Sequence, residues 1–179
     1  MLRKILIGFA ALIAVLVVVV ATRPSEFRVS RSATMAAPPA AVFAQVNDFH
    51  RWEAWNPWGK IDPAMKGSYT GPAAGPGASY AWQGNSDVGE GRMTILEARP
   101  NELVKIKLEF LKPMAATNTA EFTFVPSSDR TAVTWAMSGS NGFLGKAIGL
   151  VMDMDKMIGS QFEKGLADLK AIVERPAAN

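Results

Sequence analysis

Two side chains have the type and setting for acid–base chemistry inside a folded domain. His50 is the one imidazole among 179 residues, so it is the default general base if the chain moves protons. It stands between Phe49 and Arg51 with no Ser or Asp tied to it by a motif, and a rim position is the plainer alternative. Asp155 is the second. It falls on the apolar stripe of a helix-period segment, where a lone carboxylate needs a partner or loses its charge. It reads either as a polar anchor inside a cavity, holding a ligand or acting as acid or base, or as a structural partner for Lys, Arg or an indole N–H. Glu90 and Glu97 have no spacing that pairs them.

Other chemistries are excluded by composition. The chain has no Cys, which removes thiol nucleophiles, disulfides and thiolate metal sites. One His does not build an imidazole metal centre, so neither a metal nor another cofactor is expected. Residues 139–146 (GSNGFLGK) fail as a phosphate-binding loop, because Ser140 replaces the first glycine and Ala147 the required hydroxyl. The net charge is +3, but setting aside Arg3 and Lys4 leaves 17 basic against 16 acidic residues. No basic aromatic stripe accompanies that balance, so nucleic acid is not an expected partner.

The remaining candidates are large and apolar. Trp52, Trp55 and Trp58 fall within a short helical stretch beside Asn56 and Pro57. They read as walls of a ligand cavity, with indole N–H groups for orientation, or as a plug of core. Tyr80, Trp82, Met93, Ile95, Phe110, Phe122, Trp135 and Met137 lie on strand-like segments that can turn them inward. Met152 and Asp155 belong to a Met-rich run of the last helix. Together these residues form the expected lining of a cavity, with ordinary core as the alternative for each.

The elements that must position them follow from hydrophobic period. Residues 5–21 are free of charge (ILIGFAALIAVLVVVVA), which gives about 25 Å of helix, enough for a short membrane span. We expect an uncleaved signal-anchor over 1–22, a linker over 23–26, a folded domain over 27–175 and a tail over 176–179. A cleaved signal peptide is the rival for the first segment. The compact Arg3-Lys4 flank favours a cytoplasmic N-terminus and a domain on the outer side of a single-pass membrane protein.

Residues 27–35 alternate as a strand. Pro38-Pro39 opens a short helix over 40–46, and 47–58 form a second irregular helical turn. Six further strands are expected over 65–70, 78–83, 88–98, 103–111, 117–125 and 130–138. In the fourth of these six, Val104, Ile106, Leu108 and Phe110 alternate with Lys105, Lys107 and Glu109. A single helix over 141–174 carries the stripe Leu144, Ile148, Val151, Asp155, Ile158, Phe162, Leu166, Leu169 and Val173. Seven strands span about 34 Å if flat, and one helix covers about 10 Å. The sheet must therefore curl around the helix, and the mismatch predicts an interior cavity.

This order resembles the α+β helix-grip fold of the START-like, or SRPBCC, superfamily, and is most similar to its polyketide cyclase/dehydrase and lipid transport branch. The resemblance rests on Ala37-Pro38-Pro39-Ala40-Ala41-Val42-Phe43, Val46-Asn47-Asp48-Phe49, and Trp52-Glu53-Ala54-Trp55-Asn56-Pro57-Trp58. Further matches are Gly75-Pro76-Gly77-Ala78-Ser79-Tyr80-Ala81-Trp82, Ala120-Glu121-Phe122-Thr123-Phe124 and the stretch 162–170 (FEKGLADLK). It spans about residues 27–173. It implies a curved seven-stranded antiparallel sheet around a long C-terminal helix, with two short helices after the first strand. It also implies a hydrophobic small molecule or lipid as ligand. No catalytic pattern of the cyclases maps onto individual residues. Three functions follow: a membrane-anchored binder of a hydrophobic ligand, a cyclase or dehydratase using Asp155 or His50, and a non-catalytic interaction or stress module.

Overall fold

The computed structural model describes residues 1–175; the expected tail lies outside the described residues. Helix α1 (Leu2–Thr22) is followed by β1 (Glu26–Met35) and α2 (Pro39–Val46). Two 3₁₀ segments, Phe49–Ala54 and Trp58–Lys60, replace the second short helix. Strands β2 (Lys66–Thr70), β3 (Ser79–Gln83), β4 (Glu90–Arg99), β5 (Leu103–Lys112), β6 (Ala116–Ser127) and β7 (Arg130–Ser140) come next. The chain ends in α3 (Phe143–Ile148) and α4 (Met154–Val173). All seven strands join one antiparallel sheet in the order β1-β7-β6-β5-β4-β3-β2. This is the helix-grip architecture.

Local chemistry sets the boundaries. Pro38 and Pro39 stand where α2 has backbone N–H groups without partners. The Trp52 indole donates to the Val46 carbonyl at 2.9 Å and so closes the other end of that helix. Asp48 caps the first 3₁₀ segment by accepting the His50 backbone N–H at 2.9 Å. Gly71 adopts φ +80 in the tight loop before β3, a conformation open to glycine at little cost. Register shifts at Glu90/Gly91 and Ile95/Glu97 break the regular ladder between β4 and β5 and bend the sheet there.

The long C-terminal helix is interrupted. Helix α3 stops at Gly149, and Asp153 starts α4 by accepting the Lys156 backbone N–H at 2.9 Å. Glycine is a poor helix former and aspartate a strong N-cap, so the break has a local cause. The first part of the expected stripe is therefore not packed on the sheet: Leu144 is 59% and Val151 84% exposed. The buried face of α4 comprises Gly159, Phe162, Gly165, Leu166 and Leu169.

Helix α1 has 21 residues, about 31 Å, and only Val20 of it is buried. It is long and apolar enough to cross a membrane. Its C-terminal end lies against α3, where Lys146 Nζ stands 3.5 Å from the Ala21 carbonyl oxygen.

Candidate functional site

Strand register arranges the inner face of the sheet in rows. One row holds Arg31, Trp135, Phe122 and Val104, and the next holds Val29, Met137, Ala120, Ile106 and Ile95. The row beyond holds Phe27, Gly139, Asn118, Leu108, Met93 and Tyr80. Trp82, Gly91 and Phe110 lie past that. Helix α4 covers the first of these rows: the Phe162 ring stacks on Trp135 at 4.2 Å and 10°.

The expected cavity lining divides along this line. Trp52, Trp55, Ile95, Phe122 and Trp135 are buried in a solid aromatic plug. Trp52 and Trp55 sit 4.6 Å apart, and Phe122 stacks on Trp135 at 4.7 Å. Trp58 lies at its edge, 5.7 Å from Trp135 and 6.1 Å from Phe162. Met93 and Met137 mark the margin at 8% and 6% exposure. Tyr80, Trp82 and Phe110, with Leu108 and Phe27, are only half-buried. They share the inner face at the end of the sheet beyond α4, an uncovered apolar strip, or trough, that borders neither of two solvent-open hollows on the domain. Trp82 is held in its wall by donating its indole N–H to the Val88 carbonyl at 3.1 Å, with Phe110 5.9 Å away. Burial raises the Tyr80 phenol above its ordinary pKa, and the Tyr69 and Glu53 charges add to this.

Two expectations are corrected. Neither of two solvent-open hollows, about 400 Å³ and 250 Å³, is the enclosed chamber expected from the helix-to-sheet mismatch. The rings of the plug take up the room beside α4, and what the mismatch leaves is the half-buried apolar strip beyond it. Met152 and Asp155 do not line it. Met152 is 47% exposed in the segment between α3 and α4. The Asp155 side chain is 61% exposed and paired with Arg31 at 2.9 Å, because α4 begins only at Met154 and its first turn lies at the rim. The structural alternative for Asp155 is the one observed.

Arg31 clasps α4 to β1. Its guanidinium donates to Asp155 at 2.9 Å and to Glu163 at 2.8 Å. The hydrogen bond from Arg31 holds the Asp155 carboxyl below the usual aspartate range. A carboxyl with a lowered folded pKa stabilises the fold above its unfolded value and loses that contribution as pH falls through the folded one. Wild-type protein is therefore expected to lose thermal stability more steeply than Arg31→Met below about pH 4, as measured by calorimetry across an acid series. Parallel curves would remove the clasp from the account.

His50 lies outside the trough. Its ring is within 3.0 Å of Asp48 Oδ1 and stacks on Tyr69 at 4.1 Å. It borders both hollows, the smaller together with Tyr69, Ala78 and Ser79. Among the described residues no group of three or more His, Asp or Glu side chains is placed to hold a metal. Sequence reasoning missed Phe27, Leu108 and Asn118 as trough residues. Each sits at an inward position of a strand whose alternation was already legible, and that phase was the available signal.

A family model described as polyketide cyclase/dehydrase and lipid transport matches residues 26–174. No curated protein matches the chain. Solved structures share the fold at low identity. Protein CV1439 from Chromobacterium violaceum is 16% identical with a TM-score of 0.60, covering 86% of this chain and 100% of its own. Protein MLL2253 from Mesorhizobium loti is 14% identical with a TM-score of 0.62, covering 85% and 100%. The Aha1 dimer from Colwellia psychrerythraea is 15% identical with a TM-score of 0.59, covering 85% and 99%.

Proposed function

Because the chain belongs to the polyketide cyclase/dehydrase and lipid transport family, we propose that it is a membrane-anchored binding protein whose trough receives a hydrophobic small molecule or lipid. The observation that carries this reading is the half-buried state of Phe27, Leu108, Phe110, Tyr80 and Trp82 on the inner face of the sheet. Apolar surface facing a concave site favours an apolar occupant, which gains about 25 cal/mol for each Å² removed from water.

The position of the trough supports a bilayer as its source. Phe27 follows Thr22, the end of α1, by five residues, so the Phe27 end of the trough lies within about 18 Å of the end of the span. Phe143 and Leu144 of α3 are 54% and 59% exposed beside that same end of α1. Exposed apolar side chains next to a membrane span suit the lipid interface. The Arg3-Lys4 flank supports a cytoplasmic N-terminus, with the folded domain on the outer side.

The test is an organic extract of the purified full-length protein, compared with the variant Phe110→Arg. The charge in the trough wall should exclude an apolar guest. The wild type is expected to carry one dominant apolar compound near one per chain, and the variant to lose at least about four-fifths of it. Bulk phospholipid bound around α1 is common to both and cancels. Identical extracts from the two proteins would overturn the reading.

A further inference from the structure

Asn118 stands out on the trough floor. Its side chain is nine-tenths buried, at 9% exposure, between Leu108 and Gly139 on the row that α4 leaves uncovered. A carboxamide offers two donors and an acceptor with two lone pairs. Among the described residues its one recorded partner is the Met137 thioether, 4.0 Å from the amide nitrogen, and a thioether is a weak acceptor. The Trp55 indole N–H inside the plug and the Asn47 amide oxygen also lack partners among the described residues, but neither residue lies on this row, and the buried Thr131 and Asp62 side chains are satisfied. Thr131 donates to the Ala37 carbonyl at 2.7 Å, and Asp62 accepts from the Ala64 and Asn85 backbone N–H groups at 3.0 and 2.8 Å. A buried amide without strong partners costs stability and calls for a ligand or ordered water. Gly139 makes room for the carboxamide itself: a Cβ there would collide with the Asn118 amide oxygen and come within 3.0 Å of the Phe27 ring.

We propose that the Asn118 carboxamide is the polar anchor of the trough, and that the ligand is an apolar molecule bearing an uncharged hydrogen-bonding group such as a ketone, ester or hydroxyl. This rests on the trough as the binding site and goes further by naming the ligand class. Charge is what the row lacks. Its residues from Phe27 to Tyr80 include no Lys, Arg, Asp or Glu. The nearest inner-face cation in register, Arg31, is taken by Asp155 and Glu163. A charged headgroup would lose its water with no counter-charge, whereas a neutral carbonyl exchanges one hydrogen bond for another.

The test uses full-length protein in nanodiscs and two radiolabelled probes of equal chain length, methyl undecyl ketone and n-tridecane. Each is measured as retention above empty nanodiscs, for the wild type and for the near-isosteric Asn118→Leu. Uptake by the bilayer is the same for both proteins and cancels. The ketone is expected to bind the variant about three- to tenfold more weakly, the range of one hydrogen bond, and tridecane to change less than about twofold. Equal losses of both probes, or no change in either, would overturn the anchor while leaving the trough in place. Wild-type protein that retains neither probe would overturn the trough and the anchor with it. A second readout needs no variant: the Asn118 side-chain amide resonance should move on adding ketone and stay fixed with tridecane, and a resonance unmoved by bound ketone overturns the proposal.

Discussion

Trp135→Ala is expected to cost the domain about 3–5 kcal/mol, the range for removing a buried aromatic ring. This is the largest single-site effect we anticipate. Trp135 is 3% exposed and is the hub of the plug. Phe162 stacks on one side at 4.2 Å and Phe122 at 4.7 Å. The edges of Trp55 and Trp58 meet it at 5.8 and 5.7 Å. Each such pair adds about 0.5–1.5 kcal/mol beyond burial itself, so the effect should lie towards the upper end. For a domain of this size the melting temperature should fall by about 8–16 °C. The same truncation distinguishes core from cavity wall. A ring facing an existing ligand space creates little new cavity, so its loss would cost mainly the transfer term and fall below this range. A melting temperature within about 2 °C of the wild type would therefore return Trp135 to the ligand site.

The strands were legible because their alternation is strong. Residues 103–111 and 117–125, with Lys, Glu and Thr opposite Val, Ile and Phe, match β5 and β6 to within two residues at each end. The long helix was legible in period but not in continuity. A stripe counted by steps of three and four passes through Gly149 and Asp153 unbroken, although the backbone stops at one and restarts at the other. That misplacement explains the reading of Asp155 as an interior anchor: the stripe is meaningful only while the helix lies on the sheet. The three clustered Trp residues carried both readings, wall and plug. Choosing between them depends on the separation of α4 from β7, which no local pattern encodes. Asn118 was hidden for a different reason. A single polar residue among Ala120, Phe122 and Phe124 looks like noise in an alternating strand until neighbouring strands show that it has no strong partner.

The separation of α4 from the sheet is itself set by two glycines, and they make opposite predictions. Alanine in place of glycine inside a helix gains about 1 kcal/mol. At Gly159 the added Cβ would meet the end of the Arg31 side chain. That side chain is long and a quarter exposed, so it can swing into solvent, giving up two water-screened ion pairs, with Asp155 and Glu163, each of small worth. Gly159→Ala is therefore expected to leave the melting temperature unchanged or raise it. At Gly165 the Cβ would lie 2.8 Å from the Trp135 ring and 3.1 Å from the Pro57 ring. Neither can give way: Trp135 is held between two stacked rings, and Pro57 has no rotamer to change. Overpacking of this kind costs about 1–3 kcal/mol and outweighs the propensity gain. Gly165→Ala should destabilise by up to about 2 kcal/mol, and Gly165→Leu by about 3 kcal/mol or more, read from chemical denaturation of the full-length protein. Because α4 would be lifted from the plug but not from the trough, ligand content per folded chain should hold in Gly165→Ala. A Gly165→Ala protein as stable as the wild type would mean that α4 does not ride on Trp135, and the filled half of the grip would lose its physical basis.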